Sequence, residues 1–192
     1  MTVDVEDYFQ VAALASAFPP GAWEQVPRRV VPNTQRLLAL FQRHGIKATF
    51  FVLGWVAERE PALVKEIAAH GHEIACHGYS HRLVYEQTPE DFRQETLRAR
   101  DVLQDTLGRP VQGYRAASYS ITRRSFWALD ILAEAGFGWD SSIFPIRHDR
   151  YGVPSSPTRP YRLLTEQGRE LTEIPLTTAT VLGQRLPAAG GG

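Results

Sequence analysis

Two histidines near the middle of the sequence have the spacing of metal ligands. His77 and His81 belong to the segment HGYSH, directly after the apolar end of a predicted strand, Glu73–Cys76. A separation of four residues places two imidazoles on one face of a helical turn, about 6 Å apart at Cβ, so that both can bind one metal ion. Their position after a buried strand favours this interpretation over two unrelated surface histidines.

Three acids near the N-terminus are the candidates for a further ligand and for a general base. Asp4, Glu6 and Asp7 lie at the end of a short predicted strand, where like charges repel unless a cation gathers them. A solvated loop is the ordinary alternative. The zinc-protease motif is excluded, because it needs Glu where Gly78 follows His77. Two histidines and one carboxylate leave positions open for water, which is typical of a catalytic metal and favours Zn²⁺.

The elements that must position these residues alternate between short apolar strands and amphipathic helices. Strands are predicted at Thr2–Val5, at residues 46–53, 73–76 and 111–116, and around residues 137–140. Asn33 is expected to cap one helix, and Thr88 and Pro89 to begin a long one. This alternation predicts an α/β fold with a mainly parallel sheet, whose functional groups follow the carboxyl ends of the strands.

The composition excludes several classes of partner. The 192 residues carry 21 Lys and Arg against 21 Asp and Glu, so no basic excess favours nucleic acid or an anionic membrane surface. A hydrophobic content of 43% suits one packed domain over residues 1–192. No apolar stretch of about 18 residues predicts membrane insertion, and acids stand where a signal peptide would be basic. The given chain is expected to be cytoplasmic, with a periplasmic or extracellular location left open, and its oligomeric state is not predicted.

Four segments carry a resemblance to a known family: TVDVEDYF at residues 2–9, HGYSH at 77–81, GYRAASYSI at 113–121 and WDSSIFP at 139–145. In order and spacing they resemble the motifs of the carbohydrate esterase family 4, or NodB-homology, polysaccharide deacetylases. The chain is most similar to a subgroup that is related to peptidoglycan deacetylases and associated with exosortase and exopolysaccharide loci. The resemblance implies a distorted (β/α) barrel that removes acetyl groups from an acetylated amino-sugar polysaccharide.

The resemblance also implies a role for each residue of the metal centre. Zn²⁺ would be held by Glu6, His77 and His81, and Asp4 would be the base that removes a proton from the attacking water. The family usually has Asp at the ligand position. An alternative register makes Glu6 the base and Asp7 the ligand.

Further roles follow from the same resemblance. Arg115 would pair with Asp4, and a backbone N–H just after Arg115 would stabilise the oxyanion. Asp140 resembles the acid that tunes a catalytic histidine, although an Asp that caps a turn is an ordinary alternative. Tyr79 and Tyr119 are expected to be exposed beside these motifs and to stack on sugar rings.

The proton donor to the leaving amine is not assigned by the motifs. The family usually supplies it from a histidine near the C-terminus, and no histidine follows His148 in this sequence. One expectation is that the catalytic domain is truncated at its C-terminus, since (β/α) barrels run to about 250 residues, and that it binds metal but deacetylates poorly. The other is that His148 is the general acid.

Three alternative functions remain open on the sequence. An allantoinase-like cyclic-amide hydrolase would use a similar attack by metal-bound water. Iron oxygenases also use two histidines and a carboxylate, but their closely spaced His-x-Asp and β-helix do not match this strand and helix alternation. A glycan-binding domain that keeps the metal centre but lacks a proton donor is the third.

Overall fold

The structure is a computed structural model that describes residues 1–188. Backbone contacts divide the chain into two compact units. The first comprises Met1–His81 and Leu97–Val111, and the second comprises Arg82–Thr96 and the described residues from Gln112 onward. Parallel strands linked by helices occur in both, which confirms the predicted α/β class. The assignment of residues 1–192 to one catalytic domain stays a prediction. Within residues 1–188, no helix has the length and apolarity that a membrane crossing requires.

The first unit is built on three parallel strands, β1 (Thr2–Val5), β2 (Thr49–Val52) and β3 (Glu73–Cys76). Val5 is level with Val52, and Val52 is level with Cys76, so the three strands end at the same edge. The residues that follow them therefore leave the sheet side by side. The helices of this unit are α1 (Val30–Arg43), α2 (Gly54–Arg59) and α3 (Pro61–Ala69), and α4 (Pro89–Leu107) contributes its C-terminal part.

The core of the first unit explains why β2 is continuously apolar. Phe50, Phe51 and Val52 are all buried, which is the pattern of a central parallel strand covered on both faces. The α1 helix contributes Leu38 and Phe41 to this core, and the ring of Phe41 lies 6.1 Å from that of Phe50. β2 thus carries no candidate functional residue, but it anchors its two neighbours, β1 and β3.

The start of α1 differs from the sequence prediction. The helix begins at Val30, and Asn33, which was expected to cap it, lies within its first turn. Oδ2 of Asp7 instead accepts hydrogen bonds from the amides of Arg29 (2.6 Å) and Val30 (3.0 Å). The cap therefore comes from a residue that is distant in sequence. The start of α4 is as predicted, since Oγ1 of Thr88 accepts from the amide of Asp91 at 3.1 Å.

The second unit contains β4 (Gly113–Tyr114), β5 (Trp139–Asp140), β6 (Tyr161–Leu164), β7 (Glu170–Glu173) and helix α5 (Trp127–Glu134). Strands β4, β5 and β7 are parallel, and β6 is antiparallel to β7. Gly113 is required by packing, because a Cβ there would lie 2.0 Å from the ring of Trp139. A separate hairpin follows, formed by β8 (Thr178–Val181) and β9 (Gln184–Pro187). The strands after residue 160 were not predicted.

Candidate metal centre

The shared edge of the first unit brings three predicted ligands together. Glu6 follows β1, and His77 follows β3, where its amide donates to the carbonyl of Val52 at 3.0 Å. Ligand atoms of Glu6, His77 and His81 all lie within 4.8 Å of one another. Oε2 of Glu6 lies 2.7 Å from Nε2 of His81 and 3.7 Å from Nε2 of His77. Two atoms bound about 2.1 Å from a tetrahedral ion are about 3.4 Å apart, and these separations bracket that value.

The loop that carries the histidines is not the helical turn that their spacing suggested. Gly78 has φ +75° and His81 has φ +55°, so the chain reverses sharply between the two imidazoles. The start of α2 holds this loop in place, because the amide of Gly54 donates to the carbonyl of Gly78 (2.8 Å) and that of Trp55 donates to the carbonyl of Tyr79 (3.1 Å). The resulting ring separation between His77 and His81 is 5.4 Å.

The chemistry of these three side chains fits a divalent metal. His77 and His81 are buried, and Glu6 is half-buried. Oε2 of Glu6 lies close to Nε2 of His81, and among residues 1–188 the buried Nδ1 of His81 has no hydrogen-bond partner. Burial would raise the pKa of the Glu6 carboxyl, but the imidazoles of His81 and His77 outweigh it and lower this pKa. An ionised carboxylate beside two imidazoles is a donor set that zinc prefers.

The two other acids of the first motif have different environments. Asp4 is the half-buried residue before the buried Val5 at the end of β1, and Glu6 is the first residue after that strand. Asp7 is buried, and its carboxylate accepts from the amides of Tyr8, Arg29 and Val30. These bonds occupy both oxygens of Asp7, which disfavours the register in which it is the metal ligand.

The prediction that Tyr79 is exposed is wrong. Its side chain is 7% exposed, and its hydroxyl donates to Oε2 of Glu58 at 2.6 Å. Its ring packs closely on Gly54, where a Cβ would lie 2.7 Å away, and the guanidinium of Arg98 covers the ring at 3.8 Å. The position of Tyr79 between two candidate metal ligands suggested that it lines a substrate groove. Its ring is instead covered by its neighbours and leaves no face on which a sugar could stack.

In the second unit, Arg115 and the residue after it are bound to consecutive serines. Arg115 is buried, with Nε donating to the carbonyl of Ser141 (3.2 Å) and Nη2 donating to its hydroxyl (3.0 Å). The amide of Ala116 donates to Oγ of Ser142 at 2.8 Å. This bond engages the amide of Ala116, and the role of a backbone N–H just after Arg115 as oxyanion donor stays a prediction. The pairing of Arg115 with Asp4 stays a prediction.

Asp140 lies in a buried carboxyl pair that the sequence analysis missed. Its carboxylate accepts from the hydroxyl of Ser142 (2.6 Å) and from the amide of that residue (3.2 Å). Glu173 is level with Asp140 on β7, and its Oε1 accepts from the amide of Ile143 at 3.0 Å. Burial and the neighbouring Asp140 raise the pKa of Glu173 well above its usual range, and burial raises the pKa of Asp140. The role of Asp140 in tuning a catalytic histidine stays a prediction.

The two remaining predicted residues also lie in the second unit. Tyr119 is half-buried at φ +53°, and its ring packs edge-on against Phe144 at 5.5 Å. His148 is exposed in a loop, with Nδ1 lying 2.9 Å from Oδ1 of Asp149, and its ring stacks on Tyr151 at 3.9 Å. Their roles in stacking on sugar and in proton donation stay predictions. Glu173 could have been found from its inward position in ELTE, where it alternates with buried Leu171.

Known proteins are similar to this chain in sequence and in fold. A peptidoglycan-N-acetylglucosamine deacetylase from Bacillus cereus is 36% identical over 75 residues, which cover 39% of this chain and 27% of that protein. A chitooligosaccharide deacetylase from Bradyrhizobium is 29% identical over 100 residues, 52% of this chain and 43% of its own. The chain thus spans less than half the length of either relative. A solved structure from Mycobacterium smegmatis, described as a polysaccharide deacetylase, has 28% identity and a TM-score of 0.68 over 92% of this chain and 57% of its own.

Two family models account for most of the sequence. Residues 141–192 match a domain of unknown function, DUF3473, which begins directly after Asp140. Residues 22–137 match the model named polysaccharide deacetylase, and this segment contains His77, His81 and Arg115. Because that match covers more than half of the 192 residues, this chain belongs to the polysaccharide deacetylase family.

Proposed function

We propose that this chain is the catalytic part of a zinc-dependent deacetylase that hydrolyses N-acetyl groups on a polysaccharide of N-acetylated amino sugars. The observation that carries the proposal is the convergence of Glu6, His77 and His81 within 4.8 Å. Two imidazoles and one carboxylate suit zinc and leave room for a water and a substrate oxygen. When bound, the metal supplies a water of lowered pKa and polarises the amide carbonyl.

The substrate class rests on the relatives. Peptidoglycan and chitooligosaccharides, named for the relatives from Bacillus cereus and Bradyrhizobium, both contain N-acetylglucosamine. A polymer of this sugar is therefore the first substrate to test, and an exopolysaccharide of the same chemistry is the second. Its acetamide carries the carbon-nitrogen bond that hydrolysis breaks, releasing acetate and a free amine.

Asp4 is the proposed general base. It lies two residues before Glu6, so a carboxylate at this position is close in sequence to the ligand set without belonging to it. Asp4 takes the proton from the attacking water, and Glu6 remains ionised as a ligand. The two acids thus have separate tasks, which a pair of amide substitutions can distinguish.

His148 is the proposed source of the proton that the leaving amine requires. Its ring is exposed and stacked on Tyr151, which fixes its orientation. A loss of acetate release in His148→Ala with zinc content unchanged supports this role. Unchanged release would exclude it.

The direct test is acetate release by the zinc-loaded chain. We expect acetate from N-acetylglucosamine oligomers, none from the His77→Ala variant, and full release from His70→Ala, a matched change at a histidine outside the ligand set. Release of equal acetate by His77→Ala would refute the metal centre. Ring opening of allantoin without acetate release would replace the proposal by the cyclic-amide alternative.

A further inference from the structure

A recess in the second unit collects cationic side chains. It has a volume of about 210 Å³ and is lined by residues from three parts of this unit, including Tyr85, Arg123, Arg124, His148 and Arg150. Asp149 is the acid among its lining residues. Three guanidiniums and an imidazole therefore share one recess with one carboxylate. We call this recess the arginine pocket.

This concentration of charge is unusual for the chain as a whole. Its formal net charge is zero, yet the arginine pocket carries an excess of positive charge. Arginine remains protonated, so like charges that line one recess repel one another unless an anion lies between them. Within residues 1–188, no acidic side chain forms an ion pair with Arg124 or Arg150. Their donors are available to a ligand.

The loop that forms one side of the arginine pocket is held rigidly. Gly152 has φ +100°, and a Cβ at this position would lie 2.4 Å from the carbonyl oxygen of Ile146. The next amide, that of Val153, donates to the carbonyl of Phe144 at 2.8 Å. Only glycine permits this close return of the backbone, so position 152 requires glycine for the loop to take this path.

Aromatic stacking and one anchored arginine fix the lining itself. The ring of Tyr151 is nearly parallel to those of Phe144 (5.9 Å, 5°) and His148 (3.9 Å, 8°). Nη2 of Arg123 donates to Oγ of Ser155 at 2.6 Å, which ties the segment before α5 to the same loop. A preorganised cationic recess loses less entropy on binding than mobile surface arginines do.

We propose that the arginine pocket binds a carboxylated sugar residue of an acidic glycan. Guanidiniums match the two oxygens of a carboxylate, and the ring of Tyr85 in the same recess offers an apolar surface to a pyranose. The volume of about 210 Å³ is several times the ~30 Å³ of one water molecule, so it accommodates a sugar residue and not only a small ion. The choice of a glycan as the carrier of the carboxylate rests on the proposed function.

The test is titration calorimetry on the full zinc-loaded chain with three probes. They are a tetrasaccharide of alternating glucuronate and N-acetylglucosamine, neutral chitotetraose, and sodium sulfate. We expect the acidic tetrasaccharide to bind more tightly than the other two. Arg124→Ala and Arg150→Ala should each weaken its binding about tenfold, because each removes a charge-assisted contact. Arg162→Ala, which removes an exposed arginine paired with Glu170, is the control and should bind as the parent does.

The outcomes separate this proposal from the proposed function. His77→Ala should retain the parental affinity for the acidic tetrasaccharide. Binding of this probe would therefore still be observed if the chain did not deacetylate any substrate. Equal affinity for the acidic and neutral tetrasaccharides would overturn the proposal, and so would parental affinity in both pocket variants. Sulfate binding as tight as that of the acidic tetrasaccharide would overturn the sugar assignment and show a pocket for free anions.

Discussion

The hydroxyl of Tyr79 donates a 2.6 Å hydrogen bond to Oε2 of Glu58, and this bond ties the loop between two candidate metal ligands to helix α2. Arg59 and Arg98 bind the same carboxylate, at 2.9 Å and 3.1 Å. Tyr79 lies two residues from both His77 and His81, so its position constrains the backbone that carries both imidazoles. The residue is thus a support for the metal centre.

Replacement of Tyr79 by Phe should weaken zinc binding without unfolding the chain. The ring and its packing on Gly54 remain, while the loop loses its bond to Glu58, so we expect about a tenfold loss in zinc affinity. Competition with a chromogenic chelator measures this affinity. Tyr161→Phe is the matched control, because it removes a tyrosine hydroxyl beside Ser156 in the second unit. Identical zinc affinity in the two variants would show that Tyr79 is only a packing residue.

Asp4→Asn and Glu6→Gln should have opposite effects on metal content and rate. Asp4→Asn should retain one zinc per chain and lose about 10²–10⁴-fold in acetate release, because only proton removal is impaired. Glu6→Gln should lose zinc, since a neutral amide replaces an ionised ligand. Metal analysis and a coupled acetate assay on the same samples distinguish the roles. Full zinc with no activity in Glu6→Gln would make Glu6 the base.

Asp7→Ala should destabilise the fold before it affects the metal. The substitution removes an acceptor from the amides of Tyr8, Arg29 and Val30, and the last two begin α1. We expect the free energy of unfolding to fall by about 2–3 kcal/mol, which urea denaturation measures. The exposed acid Asp101, replaced by Ala, is the control. Loss of zinc with unchanged stability would instead support the register in which Asp7 is the ligand.

The sequence predicted the parts of the fold that depend on local patterns. An apolar run without interruption identified β2, and Thr88 with Pro89 identified the start of α4. The spacing of His77 and His81 identified two candidate ligands, and the family resemblance selected Glu6 among the nearby acids; the structure brings all three within 4.8 Å. Each of these signals lies within a few neighbouring residues, so no knowledge of tertiary contacts was needed.

The features that the sequence did not predict depend on distant partners. Asp7 caps a helix that begins 23 residues later in the chain, so Asn33 was the better local candidate. Tyr79 is buried because α2 and Arg98 cover it, and neither lies near it in sequence. Strands β6, β8 and β9 are largely exposed and have no apolar run to mark them. Their stability comes from pairing with neighbours.

Glu173→Gln should change the pH dependence of stability. The pKa of Glu173 is raised in the folded chain, first by burial and then by Asp140, so the folded state holds a proton that the unfolded state releases. The stability associated with this proton is fully present below the ordinary pKa of Glu and is lost as pH rises through the folded pKa. A Gln side chain is neutral throughout this pH range, so it does not lose stability in this way as pH rises. Its amide oxygen can still accept the hydrogen bond from the amide of Ile143.

Relative to the parent, Glu173→Gln should therefore become more stable as pH rises from 5 to 8. Urea denaturation at both pH values gives the two differences in unfolding free energy, and the sign of their change is the test. Glu170→Gln is the control on the same strand. The side chain of Glu170 is exposed and paired with Arg162, so the difference in unfolding free energy between this variant and the parent should be nearly independent of pH. The unfolding free energy of Glu173→Gln relative to the parent could instead stay constant or fall as pH rises. Either result would show that the Asp140 and Glu173 pair does not retain a proton in the folded chain.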